Sequence, residues 1–181
     1  MTLSVVRFEP VCDGPTMAVA PDSAVARVAA ERVFVEHHRS LVRLGVLLGA
    51  SQTGAEDAVA EVFARSWKAI DAGRVRDPVP YLRRSLVNEL RRRGRRQLLE
   101  RAAPPTNGAS AGFENESVVR DATVRALSML SVRQREVLVL RYLEDWSEAD
   151  TGRLLGISAG SVKRHTYRGL ARLREVWRID D

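Results

Sequence analysis

Two groups of side chains have the types and spacing to do chemistry, and both are built on arginine. Arg84, Asn88, Arg91 and Arg95 recur at i, i+4, i+7 and i+11, which puts them on one face of a helix. Guanidinium groups there can contact phosphates, and an amide among them, both donor and acceptor, can read the edge of an unpaired base. Further on, Ser161, Arg164, His165, Arg168 and Arg172 share a second helical face, flanked by Lys163 and Tyr167. Arginine and lysine on such a face can donate to guanine O6 and N7 or to phosphate, while a tyrosine can pack on a sugar or a thymine methyl. Catalysis finds no comparable set. His37 and His38 are adjacent, so on a helix they point about 100° apart and cannot share a metal. No Ser/His/Asp order, glycine-rich phosphate loop or carboxylate pair stands out, and no catalytic residue, metal or cofactor is expected.

The charge distribution agrees with two polyanion contacts. The chain has 181 residues, 29 of them basic and 23 acidic, for a net charge of +6. Residues 74–101 carry ten basic and three acidic side chains, and residues 153–178 carry seven and one, so the remainder is net negative. Only Lys68 and Lys163 are lysines, a bias that a GC-rich genome also produces. A hydrophobic fraction of 45% with 29% charged residues is a globular balance; at 6% aromatic, the core must be Leu, Val and Ala. The single cysteine, Cys12, excludes an internal disulfide and a multi-cysteine zinc site. No apolar run is long enough to span a membrane, and the first thirty residues lack a basic start followed by an apolar block. A cytoplasmic protein is expected.

Helical elements must position these faces. Residues 1–22, with three prolines and no period, read as a disordered tail. A helix follows from Ser23 to Leu48, striped by Phe34, Leu41, Leu44 and Leu48 and ended by Gly49. Thr53 to Glu56 reads as a capping box opening a helix to about Ile70. Val59, Val62, Phe63, Ser66 and Ile70 lie on its inner face, and Asp57, Glu61, Arg65 and Lys68 on its outer face. A loop over 71–80 leads to a helix over about 81–99, buried through Leu82, Leu86 and Leu90. Residues 101–115 are linker-like, rich in Pro, Gly and small polar residues. Helical spacing resumes over 116–129; Ser131 to Gln134 is a second capping box, opening a helix to about Leu143. A short helix over 147–155, a turn Gly156-Ile157-Ser158 and a basic helix over 159–176 make a helix-turn-helix pattern. The expected fold class is all-α: two small helical domains, 23–100 and 116–178, joined by a flexible linker.

Taken together, these segments resemble the extracytoplasmic-function (ECF) sigma factors, small two-domain promoter-specificity subunits of bacterial RNA polymerase. Ala55-Glu56-Asp57-Ala58-Val59-Ala60-Glu61-Val62-Phe63-Ala64-Arg65-Ser66-Trp67 looks like region 2.2. Pro80-Tyr81-Leu82-Arg83-Arg84-Ser85-Leu86-Val87-Asn88-Glu89-Leu90 and the arginines after it look like regions 2.3 and 2.4. Leu130 to Tyr142 looks like region 4.1, and Gly156 to Arg164 like the start of the region 4.2 recognition helix. The four motifs stand in family order over residues 33–176, leaning toward actinobacterial members. Glu148 departs from the pattern, which often has an aromatic there, and so does His165-Thr166-Tyr167.

The resemblance implies roles. Asp57, Glu61 and Arg65 match the face that grips the β′ clamp of core RNA polymerase. Arg84, Asn88, Arg91 and Arg95, with loop 71–80, match the surface that takes the −10 non-template strand and captures a flipped-out base. Ser161, Lys163, Arg164, His165, Tyr167 and Arg168 match the positions that read −35 duplex. The apolar faces of 116–129 and 131–143 would face the β flap, and an anti-sigma factor would be a further partner. The alternative is a stand-alone helix-turn-helix regulator, which needs neither the Asp57/Glu61 face nor the first basic helix.

Overall fold

The structure, a computed structural model, describes residues 23–102 and 118–179, with side chains over 30–97 and 122–175. The tail expected over 1–22 and most of the linker expected over 101–115 lie outside the described residues. Among those described, every element is helical: α1 Ser23–Leu47, α2 Gln52–Asp71, α3 Pro78–Ala102, α4 Val118–Ser128, α5 Val132–Leu138, α6 Glu148–Leu155 and α7 Ala159–Ile179. A π-helical stretch, Val139–Leu143, continues α5.

Helices α1 to α3 pack around Leu41, Leu44, Ala55, Val59, Val62, Phe63, Leu82 and Leu86, all buried. The inner face expected for α2 is the observed one, with Val59, Val62, Phe63, Ser66 and Ile70 buried. Gly49, at φ +104°, ends α1 with a backbone that an L side chain rarely adopts. The cap of α2 is shifted from the expected one. Ser51, two residues before Thr53, is the N-cap, and its Oγ accepts from Gly54 N at 3.1 Å. Glu56 instead accepts from Gln52 Nε2 at 2.7 Å. The loop before α3 is also shorter than expected. Pro78 already stands at the first helical position, where its missing N–H costs nothing, leaving residues 72–77 as the connection.

In the second group, the box at Ser131 forms as expected: Ser131 Oγ accepts from Gln134 N, and Gln134 Oε1 accepts from Ser131 N. Gly156 closes α6 in the left-handed region, at φ +67°. Gly152 lets the two helices of the motif meet, since a Cβ there would lie 2.7 Å from the carbonyl oxygen of Ile157. The two groups are themselves in contact. Val42, Leu47 and Phe63 share an apolar cluster with Leu127, Leu130, Leu138 and Leu173, and Val87 of α3 joins Val137, Leu140, Leu155 and Val162.

Candidate nucleic-acid interface

On α7, the outward face that the sequence pattern predicts is largely the exposed one. Lys163, Arg164, Tyr167 and Arg168 are exposed, while Val162 and Leu173 are buried beneath them. Ser158 caps the helix, accepting from Ser161 N at 3.2 Å, and the Ser161 hydroxyl is held between Ser158 Oγ (3.0 Å) and Arg164 Nη2 (3.2 Å). Ser161 and His165 are half-buried, so they border the outward face. Tyr167 stands 74% exposed, a large ring without apolar cover. Neither Tyr167 nor Arg168 makes a hydrogen bond or ion pair among the described residues, which leaves both available to a ligand. Glu148, the departure from the family pattern, faces Lys163 at 3.7 Å and ties α6 to α7.

The α2 face carries Asp57, Glu61 and Arg65, all exposed. Arg65 is fixed at its far end: Nη2 donates to Glu89 Oε2 at 2.6 Å, and Nε lies 3.7 Å from Glu61 Oε1. Glu89, 3% exposed, is the centre of this corner. Arg92 donates to both of its oxygens (2.9 and 3.1 Å), and Arg93 Nε to Oε1 at 2.9 Å. The hydrogen bond from Arg92, against the opposing cost of burial and with help from Arg65 and Arg93, lowers the Glu89 carboxyl to about 2. Arg93 also donates to the carbonyl of Gly54 at 3.3 Å, so α2 and α3 are pinned together through one carboxylate.

The α3 arginines divide. Asn88 and Arg95 are exposed. Arg84 is exposed too, but lies 5.2 Å over the Trp146 ring and 3.6 Å from Asp150 Oδ1. Arg91 is not on the open face that its spacing predicts. Its side chain is 17% exposed and turned into the second group of helices. Its Nη1 and Nη2 donate to the carbonyls of Leu154 (2.8 Å) and Leu155 (3.0 Å), the last residues of α6, and its Nε lies 3.6 Å from Glu136 Oε1. Burial lowers the Arg91 pKa against the opposing charge of Glu136. Arg83 Nε lies 3.0 Å from Glu144 Oε2, and burial pushes the Glu144 carboxyl up despite that guanidinium. Sequence reasoning passed over Glu89, Glu136, Glu144 and Trp146. Glu89 and Glu136 have local signals, in the arginines at i+3 and i+4 of the first and in Arg133 at i−3 of the second.

Set beside known proteins, residues 33–98 match the family model described as Sigma-70 region 2, and residues 120–173 match that described as Sigma-70, region 4. The chain is 33% identical over 156 residues to the ECF RNA polymerase sigma factor SigM of Mycobacterium tuberculosis, covering 83% of this chain and 78% of that one. It is 32% identical over 145 residues to the RNA polymerase sigma-E factor of Streptomyces coelicolor, covering 75% and 78%. In fold it is similar to the sigma factor RpoE of Bartonella quintana, solved with the anti-sigma factor NepR. That match has a TM-score of 0.65 and 22% identity, over 83% of this chain and 98% of that one. CnrH, solved with the cytosolic domain of CnrY, matches with a TM-score of 0.56 and 22% identity, covering 88% and 96%.

An all-helical chain carrying both regions in this order is a sigma-70 family protein, a promoter-specific subunit for transcription initiation. Within that family, the chain belongs to the ECF RNA polymerase sigma factors. A stand-alone helix-turn-helix regulator would leave the region 2 match over 33–98 without a purpose. Among the described residues, no helix is long and apolar enough to cross a membrane.

Proposed function

We propose that three surfaces divide the work of initiation. Asp57, Glu61 and Arg65 on α2 engage the β′ clamp of core polymerase. Arg84, Asn88, Arg91 and Arg95 on α3 take the −10 non-template strand, with Asn88 reading a flipped base. Ser161, Lys163, Arg164, His165, Tyr167 and Arg168 read −35 duplex from α7. The apolar groove of about 340 Å³ lined by Leu127, Leu138, Tyr142, Leu143, Leu170 and Leu173 receives the β flap. Residues 23–100 and 116–178 act as the two units, with 101–115 between them. The chain does no catalysis of its own, works in the cytoplasm and is held in check by an anti-sigma factor that covers these surfaces.

The observation that carries this reading is the pairing of an exposed Asn88, without a hydrogen bond among the described residues, on a basic helix with an exposed basic recognition helix in the same chain. Mixing the full chain with core bacterial RNA polymerase and transcribing a library of promoter sequences tests it. Stable association with selective initiation is expected, and a folded chain that never associates would reject the reading. In the same assay, Asn88→Ala should slow initiation at the −10 step and leave association unchanged; lost association would remove Asn88 from that role.

A further inference from the structure

Where α2 meets α3, three guanidinium groups are shared unequally between two carboxylates. Arg65 and Arg93 each approach both Glu61 and Glu89. Their close contacts go to Glu89: Arg65 Nη2 donates to Oε2 at 2.6 Å, and Arg93 Nε donates to Oε1 at 2.9 Å. Their contacts with Glu61 stop short of a hydrogen bond, at 3.7 Å from Arg65 Nε and 3.8 Å from Arg93 Nη2. Arg92 pairs with Glu89 alone among the described residues. The two acids also differ in what they can meet. Glu89 is 3% exposed and out of reach of another protein, whereas Glu61 is 46% exposed on the outer face of α2. A carboxylate forked by two guanidinium groups has few lone pairs left for a third cation. Glu89, lowered to about 2 with the Arg92 hydrogen bond as the first cause, stays ionised at neutral pH.

We propose that Glu89 is a positioning residue for polymerase binding: it holds Arg65 and Arg93 on the inner side of the α2–α3 corner, and so keeps Glu61 open to a basic group of core polymerase. The inference rests on the assignment of Glu61 to that contact. Among the described residues, Glu61 is the only other carboxylate within ion-pair reach of Arg65 and Arg93. Without the charge of Glu89 both guanidinium groups close on Glu61, which then meets polymerase already neutralised. Asn88 is the neighbour of Glu89 in sequence, but it takes no part in this exchange.

Two variants of equal charge separate this role from a loss of stability. Glu89→Gln with Arg92→Gln, and Glu89→Gln with Arg93→Gln, both keep the native net charge and both lose the inner carboxylate. Arg93 can close on Glu61 in the first and is absent from the second, where Glu61 keeps only the weak, exposed i, i+4 pair with Arg65. A fluorophore on Cys12, the single cysteine, reports association of the full chain with core bacterial RNA polymerase by anisotropy. The Arg92 variant should bind at least fivefold more weakly than the native chain, and the Arg93 variant within twofold of it. Circular dichroism melts show that each is folded at the assay temperature. Equal affinities in the two variants would overturn the proposal. Glu61→Gln tests the route: alone it should weaken binding, and added to the Arg92 variant it should weaken binding no further. Additive losses would overturn the proposal too, because an effect through folding adds in both backgrounds. Nitrogen-edited NMR of the free chain needs no polymerase. Glu61→Gln should move the Arg93 guanidinium signal at least twice as far in the Arg92 variant as in the native chain, and an equal movement would show that Glu89 does not hold Arg93 off Glu61. A native chain that never associates, or a Glu61→Gln chain that binds like the native one, would reject the polymerase assignment of Glu61 and leave the NMR result standing.

Discussion

At the scale of single residues, one carboxylate does more than its position in the sequence announces. Glu89 sits 3% exposed beneath Arg65, Arg92 and Arg93, joining a helix assigned to polymerase with a helix assigned to DNA. Its carboxyl is lowered from 4.5 to about 2, so the folded state holds the ionised form more strongly than the unfolded chain does. That stabilisation is fully present above pH 4.5 and is lost as the pH falls toward 2. Glu89→Gln leaves three guanidinium groups around a neutral amide and should cost about 1.5–3 kcal/mol at pH 7. The gap between native and variant melting temperatures should narrow steadily from pH 5 to pH 2; a gap independent of pH would mean the charge contributes nothing. Arg168 presents the opposite case, exposed and unbonded among the described residues. In holoenzyme, Arg168→Ala should weaken binding to the −35 element by roughly 1–3 kcal/mol where the side chain meets a guanine. An unchanged affinity would remove it from the interface.

At the scale of elements, what the sequence shows depends on how far apart the cooperating residues are. The Ser131 box, the left-handed Gly156 and the Ser158 cap are readable because each is settled within three or four residues. The same logic misassigned the α2 cap, since Ser51 and Thr53 are both hydroxyls just ahead of an apolar stripe, and only the backbone decides between them. The π stretch over Val139–Leu143 has no periodicity signal separate from that of the helix it continues. Arg91 leaves the open face that its spacing predicts because its partners at Leu154 and Leu155 are 63 and 64 residues away, and helical spacing says nothing about them. Gly152 is a readable element-level constraint with a measurable consequence. A methyl group there would sit 2.7 Å from the Ile157 carbonyl, which is backbone and has little room to move. Gly152→Ala should destabilise the α6–α7 pair by about 1–3 kcal/mol and weaken duplex binding, with α1 to α3 unaffected. Hydrogen exchange resolved by segment distinguishes this from a global effect, and equal loss of protection in both groups would contradict it.

For the whole molecule, the question is whether two family regions make one cooperative body or two. An interface of ion pairs alone would let them part freely in salt, because exposed pairs are weak and screened. This interface is mixed. Arg84 is largely exposed, but Val87 is sealed against Val137, Leu140 and Leu155, and Val42 and Leu47 share a cluster with Leu127 and Leu130. Burying an apolar side chain of this size contributes roughly 1.5–3 kcal/mol, a large share of the margin by which a domain is stable. The apolar part therefore sets the cooperativity, and the arginines set the register of the contact. The native chain should unfold in a single calorimetric transition that persists, at a lower temperature, in 0.5 M NaCl. Val87→Lys places an uncompensated charge between the groups without entering the Leu82 and Leu86 side of α3. It should split the transition in two, with α1 to α3 keeping their helicity after the second group has melted. If Val87→Lys merely lowers one shared transition, region 2 itself depends on Val87. If the native chain already shows two transitions, the apolar contact between the halves is too weak to hold them together.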